Sequence, residues 1–174
     1  MAIRIQLLPH PEHPPRAVDA IEVFADIRRG SSMVTYHVTG EAPRVLAPAE
    51  PVRADGLWQH TCFELFVKPA GWEGYFEFNF SPSTAWAAYR FDGYRAGMSE
   101  LPLPAPAIEP IEDGVRVQVD LSELPEGAWQ VAITAVIEEA DGTKSYWSAV
   151  HPAGKPDFHD PACFAIEVPA PSGA

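Results

Sequence analysis

Residues 56–97 read GLWQHTCFELFVKPAGWEGYFEFNFSPSTAWAAYRFDGYRAG, and this stretch contains the clearest fold signal in the chain. Apolar and polar residues alternate along it at the two-residue period of a β-strand. In YFEFNF, residues 75–80, the alternation places Phe76, Phe78 and Phe80 on one face. Aromatic side chains gathered on one face of a strand favour packing between two sheets. The stretch therefore predicts sheet structure with an aromatic core.

Similar segments recur through the rest of the chain. The strand candidates are residues 2–8, 20–28, 32–40, 57–68, 74–80, 84–92, 114–120, 129–138, 144–151 and 163–168. Asp141-Gly142 lies between two β-rich runs and predicts a hairpin with a two-residue type I′ turn. The sequence has no sustained helical periodicity, and only a short helical turn near Leu121–Leu124 is expected.

Proline and glycine separate these segments. The chain of 174 residues contains 19 Pro and 12 Gly. Loops are predicted from Arg44 to Asp55 and from Leu101 to Pro110, because repeated prolines disfavour both helix and central strand. About ten short strands joined by such loops predict a single domain over residues 1–174, with an all-β fold, an antiparallel β-sandwich of jelly-roll type.

Net charge and cysteine content narrow the function classes. A net charge of −12 argues against binding to nucleic acid and to anionic membrane surfaces. No apolar run reaches membrane-spanning length, and the N-terminal residues lack the apolar core of a signal peptide. We therefore expect a mature, cytoplasmic protein. Cys62 and Cys163 lie in apolar, strand-like surroundings and are expected to be buried thiols rather than a disulfide.

The first two strands of the opening stretch have two chemically different faces. If these strands form a hairpin across the loop Pro69–Glu73, Glu64 lies opposite Asn79 or Glu77, depending on the register. The polar and aromatic residues predicted to share this face, together with those of the third strand, are Trp58, His60, Glu64, Glu77, Asn79, Trp86 and Arg90. Such groups are costly when buried without partners, so we expect them to line a solvated concavity or to form a network.

A flat aromatic ring beside carboxylate, amide and guanidinium groups is typical of a sugar-binding site. The ring covers the C–H face of the sugar, and the polar groups hydrogen-bond to adjacent hydroxyls. This pattern predicts a small-molecule, sugar-like ligand and no nucleic-acid or membrane partner. The alternative is an ion-paired network of Glu64 and Arg90, with the Trp side chains closing the rim of the core.

The same residues carry a family resemblance. The spacing Trp58-x5-Glu64 within LWQHTCFELFV resembles the strand pattern W-x-x-D-x-x-E of family 9 carbohydrate-binding modules and of the wider DOMON superfamily. The runs YFEFNFSPSTAWAAYRFDGYR and YWSAVHPAGKPDFHD resemble a bacterial DOMON-like subgroup. Together these segments cover about half of the chain.

This resemblance implies a β-sandwich that binds sugars or, in other branches, haem. By position, Trp58 matches the sugar-stacking Trp of the modules, and Glu64 matches their hydroxyl-binding acid. Arg90 and Trp147 lie near the places of a binding Arg and a second aromatic residue. His60 and Thr61 stand where the secreted modules usually carry an Asp, so the site is not expected to transfer whole.

The C-terminal third admits two interpretations. His151, Asp157, His159 and Asp160 offer imidazole and carboxylate groups that could bind a divalent metal, with calcium as one candidate. We favour a turn in which Asp157 accepts a hydrogen bond from the backbone of Phe158 or His159. His151 ends a predicted strand and is expected to line the ligand site.

Two further sets of residues offer cofactor ligands. His10 and His13 lie among prolines, which predicts a surface loop rather than a metal site. Met33 and Met98, with a histidine, would suit haem ligation, although no spacing singles out such a pair. No cofactor is therefore predicted, and calcium and haem are kept as alternatives.

Glu64 and Glu77 could serve as acid and base in glycoside hydrolysis, in which two carboxyl groups flank the bond that is cleaved. Close to Arg90 and Asn79, neither carboxyl is expected to have a raised pKa. We therefore predict a non-catalytic ligand-binding module. The alternatives are a haem-binding DOMON domain and a protein-interaction module, whose aromatic face docks a partner or a second copy in a homo-oligomer.

Overall fold

The structure is a computed structural model that describes residues 2–41 and 50–171. Its strands are β1 (Ala2–Pro9), β2 (Val18–Asp26), β3 (Ser31–Gly40), β4 (Cys62–Pro69), β5 (Tyr75–Phe80), β6 (Trp86–Phe91), β7 (Ser99–Glu100), β8 (Ala107–Ile111), β9 (Gly114–Asp120), β10 (Trp129–Glu138), β11 (Lys144–Ser148) and β12 (Ile166–Val168). The described residues also form two short 3₁₀ helices, Leu57–Gln59 and Pro161–Cys163. Neither of these helices has the length and apolar character needed to span a membrane.

The strands form one antiparallel sheet that curls back on itself. Their order is β7-β6-β5-β4-β10-β11-β1-β2-β3-β9-β8, and β12 pairs with β10. β1 joins the two halves, because its residues from Ala2 to Leu7 pair with β2 whereas Leu8 and Pro9 pair with β11. The halves enclose one apolar core to which β2, β3 and β9 contribute from one side and β4, β5 and β10 from the other. This arrangement confirms the predicted all-β, antiparallel β-sandwich.

Aromatic side chains fill the space between the two halves. Phe76, Phe78 and Phe80 are 4%, 1% and 0% exposed, as the alternation in YFEFNF predicts. From the opposite half, the hydroxyl of Tyr36 donates a hydrogen bond to the backbone carbonyl of Glu64 at 2.7 Å. Burial of these large rings is a main source of stability for the sandwich.

The outer face of β4 and β5, turned away from this core, is covered as well. Phe66 and Tyr75 on that face pack with Phe158 and Phe164, which belong to the segment 149–165 that follows β11. We call residues 149–165 the covering segment. Because β5 is enclosed from both sides, all of its residues are buried.

The strand predicted at residues 57–68 begins only at Cys62. Gly56 has a φ of 69°, a left-handed conformation that glycine adopts without steric cost, and the 3₁₀ helix Leu57–Gln59 follows it. The prediction of strand structure for residues 57–61 is therefore wrong. Strand alternation does not decide where the side chains of these residues point.

The loop predicted from Leu101 to Pro110 contains part of β8, and the short β7 precedes it. β8 lies at one edge of the sheet and pairs with β9. An edge strand leaves one side of its backbone without a ladder partner, so Pro110 is tolerated there although it has no N–H. Of the other predicted loop, residues 44–49 lie outside the described residues.

The predicted hairpin between β10 and β11 is confirmed, but its turn is of a different type. Gly142 has a φ of 88°, whereas Asp141 does not have the positive φ that a type I′ turn requires. Gly142 N donates to Glu139 O at 2.9 Å, and Glu139 N donates to Thr143 O at 2.8 Å. This is a three-residue loop, in which a type I turn is followed by a glycine in the left-handed region.

Two local predictions agree with the structure. Cys62 and Cys163 are buried free thiols rather than a disulfide. Near Leu121–Leu124, the chain forms a single turn in which Leu124 N donates to Leu121 O at 3.2 Å.

Candidate functional site

A cavity of about 1150 Å³ lies between the outer face of the sheet and the covering segment. Glu64 and Glu77 lie at its floor, where they are 2% and 6% exposed. Trp58 and Met98 lie at its rim, where they are 55% and 62% exposed. The remaining lining includes Phe66, Tyr89, Phe91, Arg95, Tyr146, Lys155, Phe158 and His159. The cavity therefore combines buried acids with aromatic walls.

Glu64 is fixed in the sheet by its neighbours on two strands. It pairs with Asn79 on β5, one of the two registers that the sequence allows, and with Thr134 on β10. The hydroxyl of Thr134 donates to Glu64 Oε2 at 2.9 Å. Burial, followed by the nearby Glu77 carboxyl, raises the pKa of Glu64 to about 8, and the hydrogen bond from Thr134 opposes this shift.

Glu77 has polar neighbours on two sides. Asn79 Nδ2 donates to its Oε1 at 2.9 Å, and His159 Nε2 lies 3.7 Å from its Oε2. Burial raises the pKa of Glu77, while the hydrogen bond from Asn79 and the charge of Arg95 act in the opposite direction. The expectation that neither Glu64 nor Glu77 would have a raised pKa is therefore wrong. The reason is desolvation, which outweighs these neighbours.

His159 enters the site from the covering segment. Its Nδ1 lies 2.6 Å from the hydroxyl of Tyr75, which itself accepts a hydrogen bond from Arg95 N at 3.2 Å. The Tyr75 hydroxyl can therefore donate its proton to Nδ1 of His159. In the neutral ring, the hydrogen is then on Nε2, the nitrogen that faces Glu77. Burial and the charge of Arg95 lower the pKa of His159 to about 4, so the ring is neutral near neutral pH.

Asp157 ties the covering segment to the loop after β6. Arg95 Nη2 donates to Asp157 Oδ1 at 2.7 Å, and the hydroxyl of Tyr94 donates to the other carboxylate oxygen. His159 N also donates to Asp157 Oδ1 at 3.1 Å, which confirms the predicted turn. Within the described ranges, no group of three His, Cys, Asp or Glu side chains is arranged to hold a metal ion.

Trp58 and His60 are both predicted on the ligand face, but only Trp58 lines the cavity. Trp58 reaches the cavity from the 3₁₀ helix and not through strand alternation. His60 Nδ1 lies 2.6 Å from Glu138 Oε2, and the ring is not part of the cavity lining. Asn79 faces the same way as Glu77 but is not part of the cavity lining, and its Nδ2 donates to the Glu77 carboxyl.

In β6, the third strand predicted within residues 56–97, the side chains point to the faces opposite to those predicted. Trp86 pairs with Phe80 and Arg90 pairs with Phe76, so both turn toward the inner face. Trp86 is 5% exposed in the core, and the exposed Arg90 lies 3.9 Å from Asp92. The prediction that Trp86 and Arg90 share a face with Glu64 is wrong, and so is the alternative of a Glu64–Arg90 ion pair. A shift of one residue moves every side chain to the other face of a strand.

Trp147 and His151 also lie away from the cavity, contrary to the prediction. Trp147 is 1% exposed in the inner core, where its Nε1 donates to Ser145 Oγ at 2.8 Å. β11 ends at Ser148, so His151 lies in the covering segment, and its Nε2 is 2.7 Å from Leu8 O. His10 and His13 lie in the loop between β1 and β2, as predicted, but His10 is buried, with its ring 5.0 Å from that of His151.

The sequence interpretation missed several cavity residues. Tyr89 stands on β6 in the position expected of Arg90, and its hydroxyl donates to Asp55 Oδ1 at 2.5 Å. Arg95 follows β6 in a loop, where no periodicity signals its role. Tyr146 precedes Trp147 by one residue and lines the cavity in its place. The place of these residues in the cavity follows from the strand register and from the path of the loop, which the sequence pattern does not give.

Comparison with known proteins bears on the fold. No protein-family model matches the chain, and no curated protein matches its sequence. Among solved structures, a candidate carbohydrate-binding protein from Bacteroides uniformis ATCC 8492 is similar with a TM-score of 0.64 and 15% identity, over 94% of this chain and 84% of that chain. This likeness shows a shared fold.

Two further similar structures are of a family 9 carbohydrate-binding module from Caldicellulosiruptor kristjanssonii. The complex with glucose gives a TM-score of 0.49 and 13% identity, over 89% of this chain and 78% of that chain. The complex with cellotriose gives a TM-score of 0.43 and 15% identity, over 80% of this chain and 72% of that chain. The DOMON-like assignment stays a prediction.

Proposed function

We propose that the protein is a non-catalytic binding module that holds a small carbohydrate in the cavity over β4 and β5. The observation that carries this proposal is the position of Trp58 at the rim, 55% exposed, above a floor formed by Glu64 and Glu77. Trp58 belongs to neither of the two apolar core clusters. Beside hydrogen-bonding acids, it offers a surface for the C–H face of a sugar ring.

The floor supplies the hydrogen bonds that such a ligand needs. Near neutral pH, Glu64 keeps its proton because its pKa is about 8, so its carboxyl can both donate to and accept from hydroxyl groups. Asn79 Nδ2, which donates to Glu77 Oε1 at 2.9 Å, holds the Glu77 carboxyl in place. A site with oriented acceptors binds a polyol without first losing side-chain freedom.

The fold is compatible with this function. The Bacteroides uniformis protein, which has a similar fold, is described as a candidate carbohydrate-binding protein. Because one fold hosts many functions, this is support by analogy, and the proposal depends on the site itself.

Isothermal titration calorimetry with a panel of neutral mono- and disaccharides tests the proposal. We expect one or more to bind, and Trp58→Ala to weaken that binding by about tenfold or more through loss of the stacking surface. Trp72→Ala is the matched control, because Trp72 is 40% exposed but is not part of the cavity lining. Equal losses in the two variants, or no binding by the native protein, would contradict the proposal.

One observation favours a second function, acid–base cleavage of a glycoside. Glu64 has a pKa raised to about 8, and Glu77 lies beside it on the same face. A protonated acid next to a second carboxyl is the chemistry of glycoside hydrolases. Release of nitrophenol from nitrophenyl glycosides would reveal such turnover. Its loss in Glu64→Gln, with sugar binding retained, would favour this function over binding alone.

A further inference from the structure

The charged side chains around the cavity are mainly acidic. The acids in the lining are Glu12, Asp55, Glu64 and Glu77, and the bases that are cationic at neutral pH are Arg95 and Lys155. The chain as a whole carries a net charge of −12. A negatively charged ligand is therefore disfavoured by the charge of the chain, whereas a positively charged one finds carboxyl groups to bind.

The two basic residues form no ion pair with the floor, although the charge of Arg95 lowers the pKa of Glu77. Arg95 forms its ion pair with Asp157, at 2.7 Å. Lys155 is exposed in the covering segment. Among the described residues, neither Glu64 nor Glu77 forms an ion pair with a lysine or arginine. The nearest basic group to Glu77 is His159 at 3.7 Å, and its buried ring is neutral near neutral pH.

Two carboxyl groups buried in this way lack a cationic partner. A buried carboxylate is stable only when it is paired or protonated. Glu64 meets this need with a proton, because burial raises its pKa to about 8. A cation supplied by the ligand would meet it equally well.

The register allows one cation to reach both groups. Glu64 lies opposite Asn79, and Glu77 precedes Asn79 by two residues on the same face. Residues in this diagonal relation across an antiparallel pair have Cα atoms about 7–8 Å apart, within reach of each other's long side chains. An ammonium group has three donors and can bond to two carboxyl groups at once.

We propose that the preferred ligand is a sugar with a free, positively charged amine, whose ammonium binds Glu64 and Glu77 while the ring lies against Trp58. This inference rests on the proposed carbohydrate-binding function and specifies its ligand class. It predicts discrimination against N-acetylated sugars, which carry no charge, and against acidic sugars.

Calorimetric titration with glucosamine, glucose and N-acetylglucosamine near neutral pH tests the inference. We expect glucosamine to bind about tenfold or more tightly than the other two, because a hydrogen bond to a charged group is worth about 1.5–3 kcal/mol. Glu77→Gln should remove this preference, because it keeps the shape of the side chain but not its charge. Glu73→Gln is the matched control, since Glu73 is an exposed acid in the β4–β5 turn.

The outcomes separate the two proposals. Equal affinity for the three sugars would overturn the amine preference and leave carbohydrate binding intact. No binding of these sugars or of the neutral panel would overturn both. Ethanolamine serves as an amine without a ring, and binding as tight as that of glucosamine would overturn the role given to the sugar. A preference that survives Glu77→Gln would place the cation elsewhere and contradict the assignment.

Discussion

His159 Nε2 lies 3.7 Å from Glu77 Oε2, a contact that joins the covering segment to the floor of the cavity. The imidazole is oriented from behind by the hydroxyl of Tyr75, 2.6 Å from Nδ1. The cavity thus depends on the sheet and on the covering segment together. The shape of the cavity therefore depends on the contacts that attach the covering segment to the sheet. These contacts can be tested by measurements that do not involve a ligand.

Replacement of His159 by alanine should loosen this attachment. The change leaves the buried hydroxyl of Tyr75 without its acceptor and removes ring contacts with Phe66 and Phe91 at 5.3 Å and 5.2 Å. We expect a loss of about 1–3 kcal/mol in the free energy of unfolding, measured by urea denaturation. His37→Ala is the control, because His37 lies on β3 and pairs with Asp113 at the surface. Equal stability of the two variants would contradict the structural role of His159.

The link between Arg95 and Asp157 should control the mobility of the covering segment. In Asp157→Ala, the guanidinium and the backbone N–H of His159 lose their acceptor. We expect amide hydrogens in residues 155–160 to exchange faster, with little change in β4 and β5. Asp160→Asn is the control, because Asp160 caps only the local 3₁₀ helix through Ala162 N, and asparagine caps equally well. Unchanged exchange in Asp157→Ala would show that apolar packing alone holds the segment.

Stability should fall with rising pH because of Glu64. Its pKa is about 8 in the folded protein and near 4.5 when unperturbed, so between these values the folded state holds a proton that the unfolded state has released. The contribution of Glu64 to stability is therefore greatest at the acidic side of this window, decreases through it, and levels off above the folded pKa. His159, whose pKa is lowered from 6.5 to about 4, contributes a rise in stability between those values, so the decline is clearest above about pH 6.5. Urea denaturation at several pH values should show a decline on the order of a few kcal/mol. Glu64→Gln should flatten it, and an equally steep decline in that variant would exclude Glu64 as its source.

The sequence identifies the inner layer of the sandwich well, because the pattern in β5 is unambiguous. Phe76, Phe78 and Phe80 alternate with Glu77 and Asn79, so only one face can enter the core. In β4 the same logic places Glu64 outward. Hydrophobic alternation predicts a fold where one face is plainly apolar.

The candidate site is less predictable for two physical reasons. β6 carries Trp86 on one face and Tyr89 on the other, so composition does not decide which of the two faces turns toward the core. If the strand is assigned with a shift of one residue, both side chains are placed on the wrong face. The covering segment supplies His159 and Asp157 through contacts between parts of the chain far apart in sequence. Such contacts depend on the path of the chain, which local periodicity does not encode. Trp58 reaches the cavity from a 3₁₀ helix, although strand alternation predicts the same placement.

Trp86 and Trp58 should differ in their contributions to stability, because one is buried and the other exposed. Trp86 is 5% exposed, packs in the inner core, and lies under the guanidinium of Arg53 at 4.3 Å from its ring centroid. Truncation of such a ring leaves a cavity, so Trp86→Ala should lower the free energy of unfolding by about 3–5 kcal/mol. Trp58→Ala, at a site that is 55% exposed, should cost about 1 kcal/mol or less.

Trp86→Phe refines this test. The indole Nε1 of Trp86 is buried and has no hydrogen-bond partner among the described residues, so phenylalanine forfeits no hydrogen bond there. We expect Trp86→Phe to cost clearly less than Trp86→Ala, because most of the ring volume is kept and a buried unpaired donor is removed. Both variants should retain sugar binding at temperatures where they are folded, since the inner face does not contact the ligand. Loss of binding by folded Trp86→Phe would show that the ligand site extends to the inner face and that the assignment of the outer cavity is wrong.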